Sequence, residues 1–129
     1  MHDLAPLVLV VEDSVDTAEM YREALDDHGL RVAIEGTGPG ALSAARDLQP
    51  AVMILDVGLP EIDGLEVLRR LRSAPETAQI PVIAATGQVS LTTIGDLYRE
   101  GCEAVLIKPV SLPELRHAVR DALGRHHRA

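Results

Sequence analysis

Short blocks of consecutive apolar residues alternate along this chain with longer stretches in which apolar residues recur every third or fourth position. The blocks are LVLVV (7–11), RVAIE (31–35), AVMIL (51–55), IPVIAAT (80–86) and EAVLI (103–107). Their length and apolar content predict buried strands. Between and after them lie predicted helices at 14–29, 40–50, 63–73, 90–101 and 111–124. The first turns Val15, Ala18, Tyr21 and Leu25 inward and stops at Gly29. In the second, Ala41, Leu42, Ala45 and Leu48 face inward before Pro50. The third opens on Asp63 with Glu66 three residues on, a capping box. The fourth has a weaker pattern, with Gly95 inside it. The fifth opens on a second box, Ser111 to Glu114. It carries the stripe Leu112, Leu115, Val119 and Leu123 and ends at Gly124.

Strands and helices in strict alternation predict an α/β fold, a doubly wound parallel sheet with helices on both faces and right-handed crossovers. No repeat, low-complexity tract or linker divides the 129 residues. One domain is expected, with a core over about 6–124 and no output domain after it.

Composition narrows the function. The chain is 47% hydrophobic, which excludes a disordered protein, and it has no Phe or Trp, so the core is aliphatic. A formal charge of −8 argues against direct nucleic-acid or anionic-membrane binding, which needs a surplus of Lys and Arg. The longest apolar run, 5–11, falls short of the ~20 residues that span a bilayer. It ends in Glu12–Asp13 and has no basic flank, unlike a signal peptide. The single Cys102 cannot form an internal disulfide, so a reducing, cytoplasmic location is expected. The tail GRHHRA reads as a solvated, frayed end rather than a metal site.

The remaining polar residues fall at strand ends. Glu12 and Asp13 follow the first strand, Asp56 the third and Lys108 the fifth, while Thr86 ends the fourth. Open α/β sheets place their ligand sites at these carboxyl ends. Three neighbouring carboxylates repel one another, and a hard divalent cation with oxygen ligands, Mg2+, relieves that repulsion. Lys108, the Thr86 hydroxyl and the Gly87 amide would complete a cradle for a phosphoryl group. A carboxylate in that cradle can act as nucleophile and become an aspartyl phosphate, and Asp56 on the central strand is the candidate. Taken singly, each residue has a plainer reading. Asp56 could form a turn, Glu12–Asp13 could cap a helix, Thr86 could be an ordinary strand residue, and Lys108–Pro109 a solvated turn. Their joint placement at four strand ends favours the site.

VLVVEDS (8–14), ILDVGLPEIDGLEVLRRLR (54–72), VIAATG (82–87) and LIKP (106–109) together resemble the receiver domain of two-component response regulators, in its single-domain, chemotaxis-regulator-like form. The resemblance covers nearly the whole chain. It implies a flavodoxin-like (βα)5 fold with strand order 2-1-3-4-5. It implies that Asp56 accepts a phosphoryl group from a phosphohistidine on a sensor histidine kinase or histidine phosphotransfer protein. Glu12, Asp13, Asp56 and the backbone carbonyl of Gly58 would hold Mg2+, Thr86 and Lys108 would bind phosphoryl oxygens, and Lys108–Pro109 would be cis. A downstream protein target would bind the face of the fourth helix, fifth strand and fifth helix.

Departures from the family pattern bear on signalling rather than on phosphorylation. Val105 stands where Tyr or Phe is usual, Val110 where an aromatic is common, and Leu59 where Met is usual. Val has only χ1 to change, so the output face is expected to respond through loop 86–90. That tilts the reading from conformational regulator towards phosphate shuttle. The resemblance further implies no enzyme activity beyond self-phosphorylation and self-dephosphorylation. Two alternatives stand beside it. A pseudo-receiver would keep the fold without the chemistry. An aspartyl-phosphate phosphohydrolase would commonly carry a second acid two residues after its nucleophile, where this chain has Gly58. A nucleotide site is disfavoured by the acidic, glycine-free loop VEDSVD.

Overall fold

Successive strand residues point to opposite faces of a sheet, so a strand that is apolar at every position needs cover on both sides. The computed structural model describes residues 5–88 and 90–126 and meets that need with a five-stranded parallel sheet between two helical layers. The elements run β1 (Leu7–Val11), α1 (Val15–Asp26), β2 (Arg31–Glu35), α2 (Gly38–Leu48), β3 (Val52–Asp56), α3 (Gly64–Ser73), β4 (Val82–Thr86), α4 (Leu91–Arg99), β5 (Ala104–Ile107) and α5 (Leu112–His126). Strand order is β2-β1-β3-β4-β5, the flavodoxin-like topology. The chain moves outward from β1 to β2 and then returns past β1 to β3. A crevice therefore opens between the carboxyl ends of β1 and β3.

The two faces of the sheet build two cores. Leu9, Val11, Met53, Leu55, Val82 and Ala84 pack with Ala41, Ala45, Val67, Leu68, Leu71 and Leu97 from α2, α3 and α4. Val8, Val10, Val52, Ile54, Ile83 and Leu106 pack with Ala18, Tyr21, Leu25, Leu115, Val119 and Ala122 from α1 and α5. Arg72 binds the periphery together. Its guanidinium donates to the carbonyls of Ala78 (3.1 Å), Ile80 (2.8 Å) and Gly101 (2.9 Å), fastening α3 to the segments before β4 and β5. Cys102 is buried, and burial pushes its thiol up to about 11 against the pull of the nearby Arg72 charge. It stays protonated at neutral pH. No helix among the described residues is long and apolar enough to cross a membrane.

Several boundaries and orientations differ from the sequence expectations. Val15 and Leu48 were expected inward, yet they are 74% and 47% exposed. They are the first residue of α1 and the last of α2, end positions where helical spacing does not guarantee cover. α2 starts two residues early because Thr37 caps it, accepting the Gly40 N–H at 3.0 Å, and Pro39 is tolerated in a first turn. Asp63 caps α3 through the Glu66 N–H, but the Glu66 carboxylate turns to Arg69 and Arg70 instead of closing the box. Ser111 accepts the Glu114 N–H and donates to its carboxylate. α5 does not stop at Gly124 but continues to His126. The reason is tertiary: Glu103, just ahead of β5, pairs with Arg125 at 2.8 Å and also with His126. The tail is thus clasped up to His126 rather than frayed from Gly124, and residues 127–129 lie outside the described residues.

Gly64 brings α3 directly against the turn after β3. A Cβ there would lie 2.5 Å from the Val57 Cα and 2.7 Å from the Asp56 carbonyl oxygen. Gly64→Ala is expected to lower stability by about 1–3 kcal/mol in urea unfolding, because neither backbone group can move aside. Gly124 faces open space inside α5, so Gly124→Ala should raise stability by ~0.5–1 kcal/mol.

The Glu103 clasp predicts a pH signature. Burial alone would raise the Glu103 pKa, but hydrogen bonds and charge from His126 and Arg125 outweigh it and hold the pKa below its ordinary 4.5. A depressed folded pKa gives stability that is present above the unfolded value and lost as pH falls through the folded one. Glu103→Gln should therefore cost ~0.5–1 kcal/mol at neutral pH. Its unfolding curve should converge with that of the parent as the pH drops below 4.5.

Candidate site at the carboxyl end of the sheet

The turns at the carboxyl ends of β1, β3 and β4 share one local device. At each, a strand-end side chain accepts the backbone N–H two residues further on, the hydrogen-bond pattern of Asx and Ser/Thr turns. Glu12 Oε2 accepts from Ser14 (3.1 Å), Asp56 Oδ1 from Gly58 (3.0 Å) and Thr86 Oγ1 from Gln88 (3.0 Å). Each side chain is thereby aimed into the crevice by its own loop. Glu12, Asp56 and Thr86 are buried polar residues, at 4%, 5% and 2% exposure. Asp13 is exposed at the rim.

The chain brings its acids together as expected. Oxygens of Glu12, Asp13 and Asp56 lie within 4.8 Å of one another, a spacing that could hold a metal ion. Lys108 reaches in from the end of β5, with Nζ 3.0 Å from Asp56 Oδ1 and 3.2 Å from Glu12 Oε1. Its backbone N–H is anchored to the Thr86 carbonyl at 2.8 Å. The Lys108–Pro109 peptide is cis. Burial alone would lower the Lys108 pKa, but the hydrogen bond and charge of Asp56, with those of Glu12, raise it. Burial raises the Glu12 pKa. The Ser14 N–H opposes that shift, the Asp56 charge adds to it, and Lys108 opposes it.

Asp56 presents two unlike oxygens. Oδ1 is engaged twice, by Lys108 and by the Gly58 N–H. No donor among the described residues is paired with Oδ2, and no buried side-chain oxygen is left without a partner, so Oδ2 is open to the crevice. That crevice encloses about 660 Å³ and is lined by Glu12, Asp13, Asp56, Gly58, Thr86 and Lys108, together with α4 residues that include Thr93 and Asp96. All six residues picked out from the sequence therefore line one cleft. Chemically, the cleft offers one free carboxylate oxygen, a cation, a hydroxyl whose proton is not committed to the Gln88 bond, and acids able to hold a divalent ion.

Sequence reasoning missed two contributors, Gly64 and Tyr21, and one link, from Gln88 to α4. Gly64 sets the approach of α3, and the Asp-Gly pair at a helix start was its signal. The Gln88 side chain accepts from the Thr93 hydroxyl (3.4 Å), and Thr93 in turn accepts from Ser90 (2.9 Å), which links the loop after Thr86 to the α4 cap. Tyr21, read from the sequence as an inward residue of the first helix, lines a small pocket beside Lys108 and Pro109. Its phenol pKa is pushed up by burial and by the charges of Glu12 and Asp56, offset in part by Lys108.

Known proteins resemble this chain in sequence and fold. A family model described as "Response regulator receiver domain" matches residues 8–120. The polar-differentiation response regulator DivK of Brucella ovis is 32% identical over 117 residues, covering 91% of this chain and 95% of DivK. The chemotaxis response regulator CheY4 of Vibrio cholerae superposes with a TM-score of 0.86 at 26% identity, over 92% of this chain and 99% of its own. The signal receiver domain of a signal transduction histidine kinase from Syntrophus aciditrophicus gives 0.88 at 28% identity, over 97% and 95%. With that match along residues 8–120 and its acids gathered where β1 and β3 part, the chain belongs to the response regulator receiver family.

Proposed function

We propose that this protein is a phosphoacceptor that takes a phosphoryl group from a phosphohistidine onto Asp56 and then signals by protein contacts or passes the group on. The observation that carries the reading is the asymmetry of Asp56. Lys108 and Gly58 hold Oδ1, and Oδ2 faces the cleft beside two further carboxylates. In the transfer, Oδ2 forms a bond to phosphorus as the phosphorus–nitrogen bond of the donor breaks, and the electron pair leaves with the imidazole. Lys108 Nζ and the Thr86 hydroxyl are placed to meet phosphoryl oxygens, the hydroxyl donating its free proton.

The donor set fits Mg2+: Glu12, Asp13 and Asp56 supply oxygens, with the Gly58 carbonyl as a further ligand. Bound there, Mg2+ would neutralise the charge that Lys108 leaves uncompensated and stabilise the oxygens of the transferring group. Sensor histidine kinases or histidine phosphotransfer proteins are the protein donors that carry such a phosphohistidine. A downstream protein would meet the α4-β5-α5 face, where Tyr98 and Ile107 are 50% and 37% exposed. Val105 is half-buried against the core beneath α4, so the aromatic swing usual in the family has no counterpart there. The Thr86–Gln88–Thr93–Ser90 chain of hydrogen bonds offers a route to that face instead. The site supports a phosphoacceptor over a phosphohydrolase because Gly58 supplies no second acid, and over a pseudo-receiver because no phosphorylation residue is missing.

Intact-mass spectrometry after incubation with acetyl phosphate tests this. The protein should gain one phosphoryl group in Mg2+ and none in EDTA. Asp56→Asn should gain none, and Lys108→Ala should react about a hundredfold more slowly. Phosphorylation that persists in Asp56→Asn would overturn the assignment. If acetyl phosphate fails, a phosphorylated histidine protein is the deciding donor, and failure with it too would favour the pseudo-receiver.

A further inference from the structure

Away from the crevice, between α1 and α5, Leu25, His28, Leu30, Arg116, Arg120 and Leu123 surround a groove of about 220 Å³. It shares no lining residue with the phosphoryl cleft. α1 starts at the carboxyl ends of the strands and runs towards their amino ends, so Leu25 and His28 mark the half of the molecule remote from Asp56. The three leucines make an apolar floor. The rim is cationic.

That rim is unusual for this protein. Every other described arginine meets a carboxylate or a backbone carbonyl: Arg22 has Glu19, Arg46 has Asp47, Arg69 and Arg70 have Glu66, Arg99 has Asp96, and Arg125 has Glu103. Arg31 and Arg72 are taken up by carbonyls. Among the described residues no carboxylate pairs with Arg116 or Arg120. The nearby acids do not supply one. Asp121 is met by His117 at 3.5 Å, and Asp26 and Asp27 do not line the groove. In a chain with 20 acidic residues against 12 basic ones, two guanidiniums left without a counter-charge converge on one apolar floor.

We propose that this groove docks an acidic amphipathic helix of a partner protein. Arg116 and Arg120 stand one turn apart on α5, with Cβ atoms ~5–6 Å apart, the spacing of carboxylates at i and i+4 on a partner helix. Guanidiniums suit that role because each can grip a carboxylate with two parallel N–H bonds. The floor of Leu25, Leu30 and Leu123 receives an aliphatic side chain from the same helix face. The net charge of −8 disfavours an acidic partner over most of the surface, so the groove selects orientation as well as partner.

The probe is a short fluorescein-labelled helical peptide with one leucine stripe beside one glutamate stripe, read by anisotropy against the full chain. Saturable binding is expected, equal for the parent and Asp56→Asn and weaker as salt rises. R116E/R120E should weaken it at least about tenfold. The neutral pair R116Q/R120Q should also lose affinity, which guards against a folding defect in the charge reversal. The proposal is overturned by no saturable binding, by equal binding of a scrambled peptide, or by indifference to both double variants. Sedimentation that reveals a dimer abolished by R116E/R120E would assign the groove to a second copy and overturn it equally.

Discussion

Three carboxylates at the parting of two strands can coexist only if positive charge is brought to them. Lys108 is the one cation the described residues supply there, 3.0 Å from Asp56 and 3.2 Å from Glu12. Much of the fold serves that contact. Parallel pairing of β4 with β5 and the bond from the Lys108 N–H to the Thr86 carbonyl fix where the ammonium arrives. The switch in strand order fixes where the acids arrive. One lysine cannot balance three carboxylates, and the imbalance is what makes a divalent cation and a phosphoryl group the natural ligands of the cleft.

The architecture was legible because its signals are redundant. Five apolar blocks, the three central ones almost wholly buried and the two edge ones partly covered, leave few alternatives to a doubly wound sheet, and the polar residues that end the blocks fall on one edge. The errors lie at helix ends. Val15 and Leu48 keep helical spacing but sit at helix ends, where periodicity carries no information about cover. Gly124 is a sound stop signal locally, and it loses to a contact from a residue more than twenty positions away, Glu103 with Arg125. Long-range ion pairs leave no trace in a local pattern.

The site was legible to the level of residue types but not of atoms. Sequence placed Glu12, Asp13, Asp56, Gly58, Thr86 and Lys108 in one crevice. It could not assign the i+2 hydrogen bonds that aim Glu12, Asp56 and Thr86, nor the division of labour between the two oxygens of Asp56. It read Gly58 as a carbonyl ligand and as the place of a missing second acid, and not as the N–H that holds the acceptor carboxylate in place. The same limit applies on the far side of the molecule. That Arg116 and Arg120 have no carboxylate partner among the described residues is visible only in three dimensions.

The inequality of the two Asp56 oxygens is the central claim, and a high-resolution crystal structure with Mg2+ and beryllofluoride, a stable mimic of the phosphoryl group, tests it most directly. The predicted result is a beryllium–oxygen bond to the Asp56 oxygen not held by Gly58, with Lys108 and Thr86 on the fluorides and Mg2+ among Glu12, Asp13 and Asp56. Beryllofluoride bound elsewhere, or attached to the oxygen that Gly58 holds, would contradict the account.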